Sequence, residues 1–193
     1  LRTRLGAKKT FMNQVDFFVE FQDSRVLGQE KSTSASISNV DLYQGFIKLR
    51  KIFDLPLDIQ AGRFGMMYGT ERFFGMSNWS YTGRAFDGIR FTIDPEDFAL
   101  DLFAITHTQT LSYIGNATPA TYPISATRDH FIYGLRKNVK LDESNSLDIL
   151  GYYEFDKEFS KTIDDTVYLK RLTAASTYMG KFDEFALTAE AAY

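Results

Sequence analysis

The sequence has no cysteine, four prolines and two histidines in 193 residues. Without thiols there is no disulfide scaffold, no thiol catalysis and no Cys-ligated zinc or iron–sulfur site. Their absence is neutral on compartment, because exported chains also avoid stray thiols. Charge of one sign is equally scarce: 22 Lys and Arg face 25 Asp and Glu, for a net charge of -3 and a pI near 5.4. No broad basic field exists for nucleic acid or anionic headgroups, so no nucleic-acid partner is expected. Long apolar runs are missing too. Phe17-Phe18-Val19 and Ile149-Leu150 stop after a few residues, whereas a membrane-spanning helix needs roughly 20. The chain begins at Leu1 and shows no basic-then-apolar leader, so any export signal is expected to have been removed or to lie outside it.

What is abundant is apolar and aromatic residue, 44% and 16% of the chain, too much for disorder. It is arranged with period 2, the period at which successive strand side chains point to opposite faces. Val15, Phe17, Val19 and Phe21 alternate with Asp16, Phe18, Glu20 and Gln22. The same split sets Phe98, Leu100, Leu102 and Ala104 against Asp101 and His107, and Leu147, Ile149, Tyr153 and Phe155 against Asp148, Tyr152 and Glu154. It recurs in Phe131, Tyr133, Leu135 and Val139 against His130, Arg136, Asn138 and Lys140, and in Phe185, Leu187, Ala189 and Ala191 against Glu184, Thr188 and Glu190. About ten strands are predicted near 1–8, 14–23, 41–51, 56–64, 84–93, 97–107, 129–141, 146–156, 166–178 and 184–193.

The connections alternate in length: 9–13 short, 24–40 long, 52–55 short, 65–83 long, 94–96 short and 108–128 long, followed by a turn at 142–145, a medium polar loop at 157–165 and a turn at 180–183. Outer-membrane barrels have short periplasmic turns and longer extracellular loops, a sorting that a soluble β-sandwich does not need. A ten-residue strand rising about 3.3 Å per residue and tilted near 45° covers roughly 23 Å, the height of a barrel's apolar band. The predicted fold is therefore all-β: an antiparallel, transmembrane, up-and-down β-barrel in a single domain over 1–193, with apolar rows toward lipid and polar rows toward a wet interior. The chain opens on one strand and stops within another, so it is expected to form about ten strands of a larger barrel of roughly 16–18. Tyr43, Tyr68, Trp79, Tyr81, Tyr113 and Tyr193 are expected in interfacial girdles.

The stretch Gly62-Arg63-Phe64-Gly65-Met66-Met67-Tyr68-Gly69-Thr70-Glu71-Arg72, then Trp79, then Gly83-Arg84-Ala85-Phe86-Asp87-Gly88-Ile89-Arg90 resembles the signature hairpin of the alginate-export family of outer-membrane porins. Phe21-Gln22-Asp23-Ser24-Arg25-Val26 resembles that family's strand end ahead of a long loop. Phe64-Gly65 stands where the family pattern has Gln-Glu, and Ala85 where it has Ser. The resemblance implies an outer-membrane porin that passes sugars or anionic oligosaccharides, with alginate-like uronates among them, and does no covalent chemistry.

Read as residues, Glu71 and Arg72 lie in a long loop, while Arg84, Asp87 and Arg90 open the next strand, so a charged cluster is expected at or just inside the extracellular mouth. Folded inward, that loop would form a constriction, and guanidinium groups match carboxylates bidentately. Arg2, Arg4, Lys48, Arg50, Arg136 and Lys140 are further inward basic candidates, and Asp16, Glu20, Asp58, Asp101, Asp148 and Glu154 are acidic ones. Parity from Leu57, Ile59 and Ala61 puts Arg63 on the lipid face; either a bulge at Gly62 turns it inward or it sits at headgroup level. The candidate pore-lining set is Arg63, Glu71, Arg72, Arg84, Asp87, Arg90, Lys48, Arg50 and Arg136. Mutual pairing that merely pins the loop is the competing role for these charges.

His107 and His130 face inward at the two ends of one loop beside Asp129, but no third ligand has metal-site spacing, and no geometry is fixed for Ser112 or Ser125. Neither catalysis nor a cofactor is expected. Outer-membrane lipid, a passing solute or oligosaccharide, and a protein partner are the candidate contacts. Two alternatives remain beside the porin: a barrel with a structural or docking role in a complex, and a soluble glycan-binding β-sandwich.

Overall fold

A computed structural model of the chain describes residues 1–24, 40–80, 82–95, 98–106, 129–160 and 165–193, with 129, 157–160 and 165–167 described by backbone alone. Ten strands follow one another: β1 (Arg2–Phe11), β2 (Val15–Ser24), β3 (Val40–Leu49), β4 (Leu57–Phe64), β5 (Phe86–Ile93), β6 (Phe98–Thr106), β7 (Asp129–Lys140), β8 (Asn145–Ser160), β9 (Asp165–Phe182) and β10 (Phe185–Ala192). They form a single sheet in sequence order, and every neighbouring pair is antiparallel. The strands among the described residues belong to that one sheet, so the two-sheet sandwich is overturned. No helix among the described residues is long and apolar enough to cross a membrane, which says nothing about strands.

The two faces carry opposite chemistry. Asp148 is 3% exposed while its neighbour Ile149 is 43% exposed, the reverse of what water would select and the arrangement of a wall with lipid outside. Leu5, Phe17, Phe21, Ile47, Phe91, Leu102, Leu135, Tyr153 and Leu187 continue the exposed apolar rows. The connections sort as expected, with 12–14, 50–56, 94–97, 141–144 and 183–184 at one rim, opposite the long connections 25–39, 65–85 and 107–128. One expectation fails. The medium loop at 157–165 shrinks to 161–164 because β8 and β9 stay paired, Phe159 opposite Thr166 and Ser160 opposite Asp165. A strand that rises past the apolar band no longer needs alternation, so its sequence loses the period that would reveal it.

The connection 65–85 runs across the inner face instead of standing away from it. Near one edge of the sheet, Arg2 Nη1 donates to the Ser80 carbonyl (2.7 Å), the Gln22 side-chain amide donates to the Thr82 carbonyl, and the Tyr43 hydroxyl donates to the Arg84 carbonyl (3.3 Å). Near the other, the Thr70 hydroxyl and Arg72 Nη1 (3.3 Å) both donate to the Glu190 carboxylate on β10. The ten residue-to-residue steps from Thr70 to Ser80 reach at most about 35 Å, whereas nine spacings of about 4.8 Å would set β1 and β10 roughly 43 Å apart in a flat sheet. Side chains bridge the remainder, and the packing of the loop on inward residues of β4 to β9, with Phe64, Phe74 and Phe86 fully buried, shows that the sheet curls around it. β1 and β10 do not pair with each other, so the ring is not closed within this chain.

The core of the molecule lies inside the curl. Tyr68 and Phe74 of the loop pack on the inward Phe86, Phe103, Ile132, Leu150 and Tyr152, together with Phe64, Met66, Ile105 and Ala175. Phe74 sits edge-on to Phe103 and Tyr152, with centroids 5.2 Å from each. A side chain at Gly134 would strike the Phe103 ring, so this glycine lets the ring lie across β7. The interior is thus aromatic beside the loop and polar below it, whereas a uniformly polar interior was expected.

Candidate functional site

Beneath the aromatic layer, the inward rows form ion pairs across neighbouring strands. Arg136 on β7 donates two bonds to Asp148 on β8, Nε at 2.8 Å and Nη2 at 2.7 Å, and stands 3.6 Å from Asp101 on β6. Its guanidinium also lies 5.1 Å from the Tyr68 ring centre, and burial pushes the Tyr68 phenol well above its ordinary pKa, so the ring is neutral. Lys48 pairs with Asp58 at 2.8 Å, and Arg50 and Lys8 both pair with Asp16. Arg90 donates to Gln60 (2.7 Å) and lies 5.4 Å from the Phe64 ring centre. The buried members of this set, Asp16, Gln60, Asp101 and Asp148, need such partners. Lys48, Arg50, Arg90 and Arg136 do face inward as expected; Arg90 and Arg136 both lie beside Tyr68, whereas Lys48 and Arg50 pair with Asp58 and Asp16.

Two of the predicted residues point elsewhere. Arg63 and Asp87 face each other in the register, on the row of Ala61, Ile89 and Phe91, and Arg63 Nη1 bonds Asp87 Oδ2 at 2.7 Å. This is the outward face. The register runs unbroken through Gly62, so no bulge turns Arg63 inward, and the pair sits at the strand ends on the long-loop rim. Gly62 itself takes φ +126°, and a Cβ there would meet the Gly45 carbonyl. Asp87 does not join the lumen cluster because parity from the inward Phe86 sends it outward.

Above the aromatic layer, three guanidinium groups meet at one cavity of about 240 Å³, lined by Arg72, Phe73, Phe74, Arg84, Phe86, His130, Ile132, Tyr152, Glu154 and Arg171. Arg72 reaches it from the loop and Arg84 from the loop's return to β5. Arg171 and Glu154 come from paired positions on β9 and β8. His130 Nε2 is 2.8 Å from Glu154 Oε1, and Arg171 Nε donates to the other oxygen at 3.0 Å. Glu154 is therefore fully engaged. Arg84 forms no ion pair among the described residues, and three cations face one lining carboxylate. Phe73 and Tyr152 add ring surface, 5.9 Å centre to centre. Chemically, this is a place for an anion that also carries apolar area.

Of the predicted cluster, then, Arg72 and Arg84 come together, while Glu71 turns into a different cavity. Arg171, Phe73 and Glu190 were missed. Arg171 shares the inward parity of Thr173, Ala175 and Thr177, a signal present in the sequence. Of the girdle residues, Tyr43 and Tyr68 are buried inward, Tyr43 beside the irregularity between Glu20 and Phe21 and Tyr68 in the loop. Trp79 lies on the loop rather than at a strand end. Tyr81, Tyr113, His107, Ser112, Ser125, Arg25 and Val26 lie outside the described residues.

Compared with known proteins, a family model described as alginate export matches residues 1–193, the whole chain. No curated protein matches it.

Proposed function

We propose that this chain, which belongs to the alginate export family, forms ten strands of an outer-membrane barrel whose loop-narrowed lumen passes acidic oligosaccharide or polysaccharide passively. The carrying observation is the cavity where Arg72, Arg84 and Arg171 converge and Arg84 has no acidic partner among the described residues. A uronate carboxylate matches a guanidinium fork, and the rings of Phe73 and Tyr152 offer a surface to the sugar's C–H face. Glu154 and Glu190 hold Arg171 and Arg72 without neutralising the site, which keeps each contact weak enough for release. Open sheet edges in hydrocarbon would cost several kcal/mol per bare backbone group, so further strands complete the ring between β1 and β10.

The test is planar-bilayer recording of the full-length protein with oligouronates added. Expected is a steady current with saturable block, weakened about tenfold by Arg84→Ala, the weight of a charge-assisted hydrogen bond of about 1.5 kcal/mol. The buried Tyr68–Phe74 packing favours a second reading, a lumen plugged by its loop in a barrel that serves a partner complex. Absence of current under every condition would select that reading and end the first.

A further inference from the structure

The opposite side of the same loop holds a second cavity, about 340 Å³, lined by Thr70, Glu71, Gly75, Ser77, Asn78 and Trp79. It shares no lining residue with the arginine cavity. The backbone separates the two. Glu71 takes the left-handed φ of 63° and its N–H donates to the Tyr68 carbonyl at 2.9 Å, so consecutive residues Glu71 and Arg72 serve opposite cavities. Gly75 keeps this one open, since a Cβ there would stand 2.8 Å from the Glu71 Cβ.

Trp79 is 91% exposed, although an indole ordinarily buries its face. The same cavity is lined by one carboxylate, two hydroxyls and a carboxamide, from Glu71, Thr70, Ser77 and Asn78, and Glu71 has no ion-pair partner among the described residues. A pyranose ring fits this set, with a C–H face to stack on the indole and an edge of hydroxyls to bond Glu71, Ser77 and Asn78. A quaternary ammonium fits less well, because cages for such cations are built from several rings, and a metal ion would find a single carboxylate among the lining residues. A uronate is opposed by the charge of Glu71.

We propose that the Trp79 cavity is a subsite for an uncharged sugar ring, beside the arginine cavity that takes the charged one. This rests on the sugar-channel reading above and adds that neutral rings are recognised as well. The consequence is a cargo that carries both, or a channel that serves two classes of saccharide.

The experiment uses the full-length protein, with a neutral glucan hexamer and an oligouronate as separate probes. Trp79 is the single tryptophan of these 193 residues, so the difference in fluorescence between the parent and Trp79→Phe isolates its signal. The neutral hexamer is expected to give a saturable change that Trp79→Phe lacks. Trp79→Ala should weaken current block by the hexamer about tenfold and leave uronate block nearly unchanged. Glu71→Gln should let the uronate produce the fluorescence change as well. Equal block by the hexamer in parent and Trp79→Ala, or no fluorescence response in the parent, would overturn the subsite. Failure of the channel reading looks different: no current, with the fluorescence titration intact.

Discussion

Leu102 and Phe103 are adjacent on β6, both apolar, and their surroundings differ completely: Leu102 is 46% exposed and Phe103 is 4% exposed. One meets whatever lies outside the wall, while the other meets a loop of its own chain. Apolar character alone therefore does not say which face is which. Parity does, together with the polar neighbours on each row: Asp101 shares the face of Phe103, and Leu100 that of Leu102. In a soluble protein the more buried row would mark the core and the exposed row would meet water. Here the exposed row is the greasier one, and lipid is the medium that resolves the inversion.

The strongest way to break this comparison is to empty the inner side. Phe74 is fully buried among Tyr68, Phe86, Phe103 and Tyr152. Phe74→Ala should weaken the loop's inward packing by about 3–5 kcal/mol, the usual cost of truncating a buried Phe. Hydrogen exchange across 65–85 should speed up, and single-channel conductance should rise as the loop leaves the lumen. Unchanged exchange would mean that the loop is held by its edge contacts to Arg2, Gln22 and Glu190 rather than by its aromatic face. Of similar size is Arg136→Ala, which strands Asp101 and Asp148 in the wall. Urea unfolding from lipid vesicles should show a loss of about 3–5 kcal/mol. A loss below about 1 kcal/mol would indicate that water reaches both carboxylates.

These inner features were unevenly legible in the sequence. The ten strands followed from alternation because the outward rows are almost uninterrupted: Leu147, Ile149, Tyr153 and Phe155 would be hard to read any other way. The inward charges Asp16, Lys48, Asp58, Asp101, Arg136 and Asp148 followed from the same parity. The aromatic layer did not. Phe86, Phe103 and Tyr152 occupy inward positions where a wet lumen would predict polar residues, and Tyr68 and Phe74 lie in a loop that has no period. Their partner is a segment distant in sequence, and period 2 carries no information about that. Half of the arginine cavity was visible for the same reason. Arg72 and Arg84 stand in one motif, while Arg171 shows its inward parity in the sequence but is brought to that cavity by a register that only the folded sheet supplies.

The outer side is tested by charge. Leu102 lies at the middle of β6, so Leu102→Arg should cost about 2–4 kcal/mol in lipid, the penalty for a cation near the bilayer midplane. Thr188→Arg, on the inward row of β10, should cost well under half of that, because an inward cation keeps its water. Measured as unfolding free energies in the same vesicles, equal penalties at the two positions would contradict the assignment of faces.

The smallest effect belongs to a charge pair that is already on the outer side. Arg63 and Asp87 bond at 2.7 Å in the outward row, and the Asp87 side chain keeps 41% of its surface exposed. At the midplane such a pair would resemble the buried Arg136–Asp148 pair, and removing one partner would cost several kcal/mol. At the rim, headgroups and water solvate both ions, and a double-mutant cycle of Arg63→Ala with Asp87→Ala should return no more than about 1 kcal/mol of coupling, falling as salt is raised. The magnitude reads the depth. Coupling above about 2 kcal/mol and insensitive to salt would place this end of β4 and β5 inside the hydrocarbon and shift the membrane boundary along every strand of the sheet.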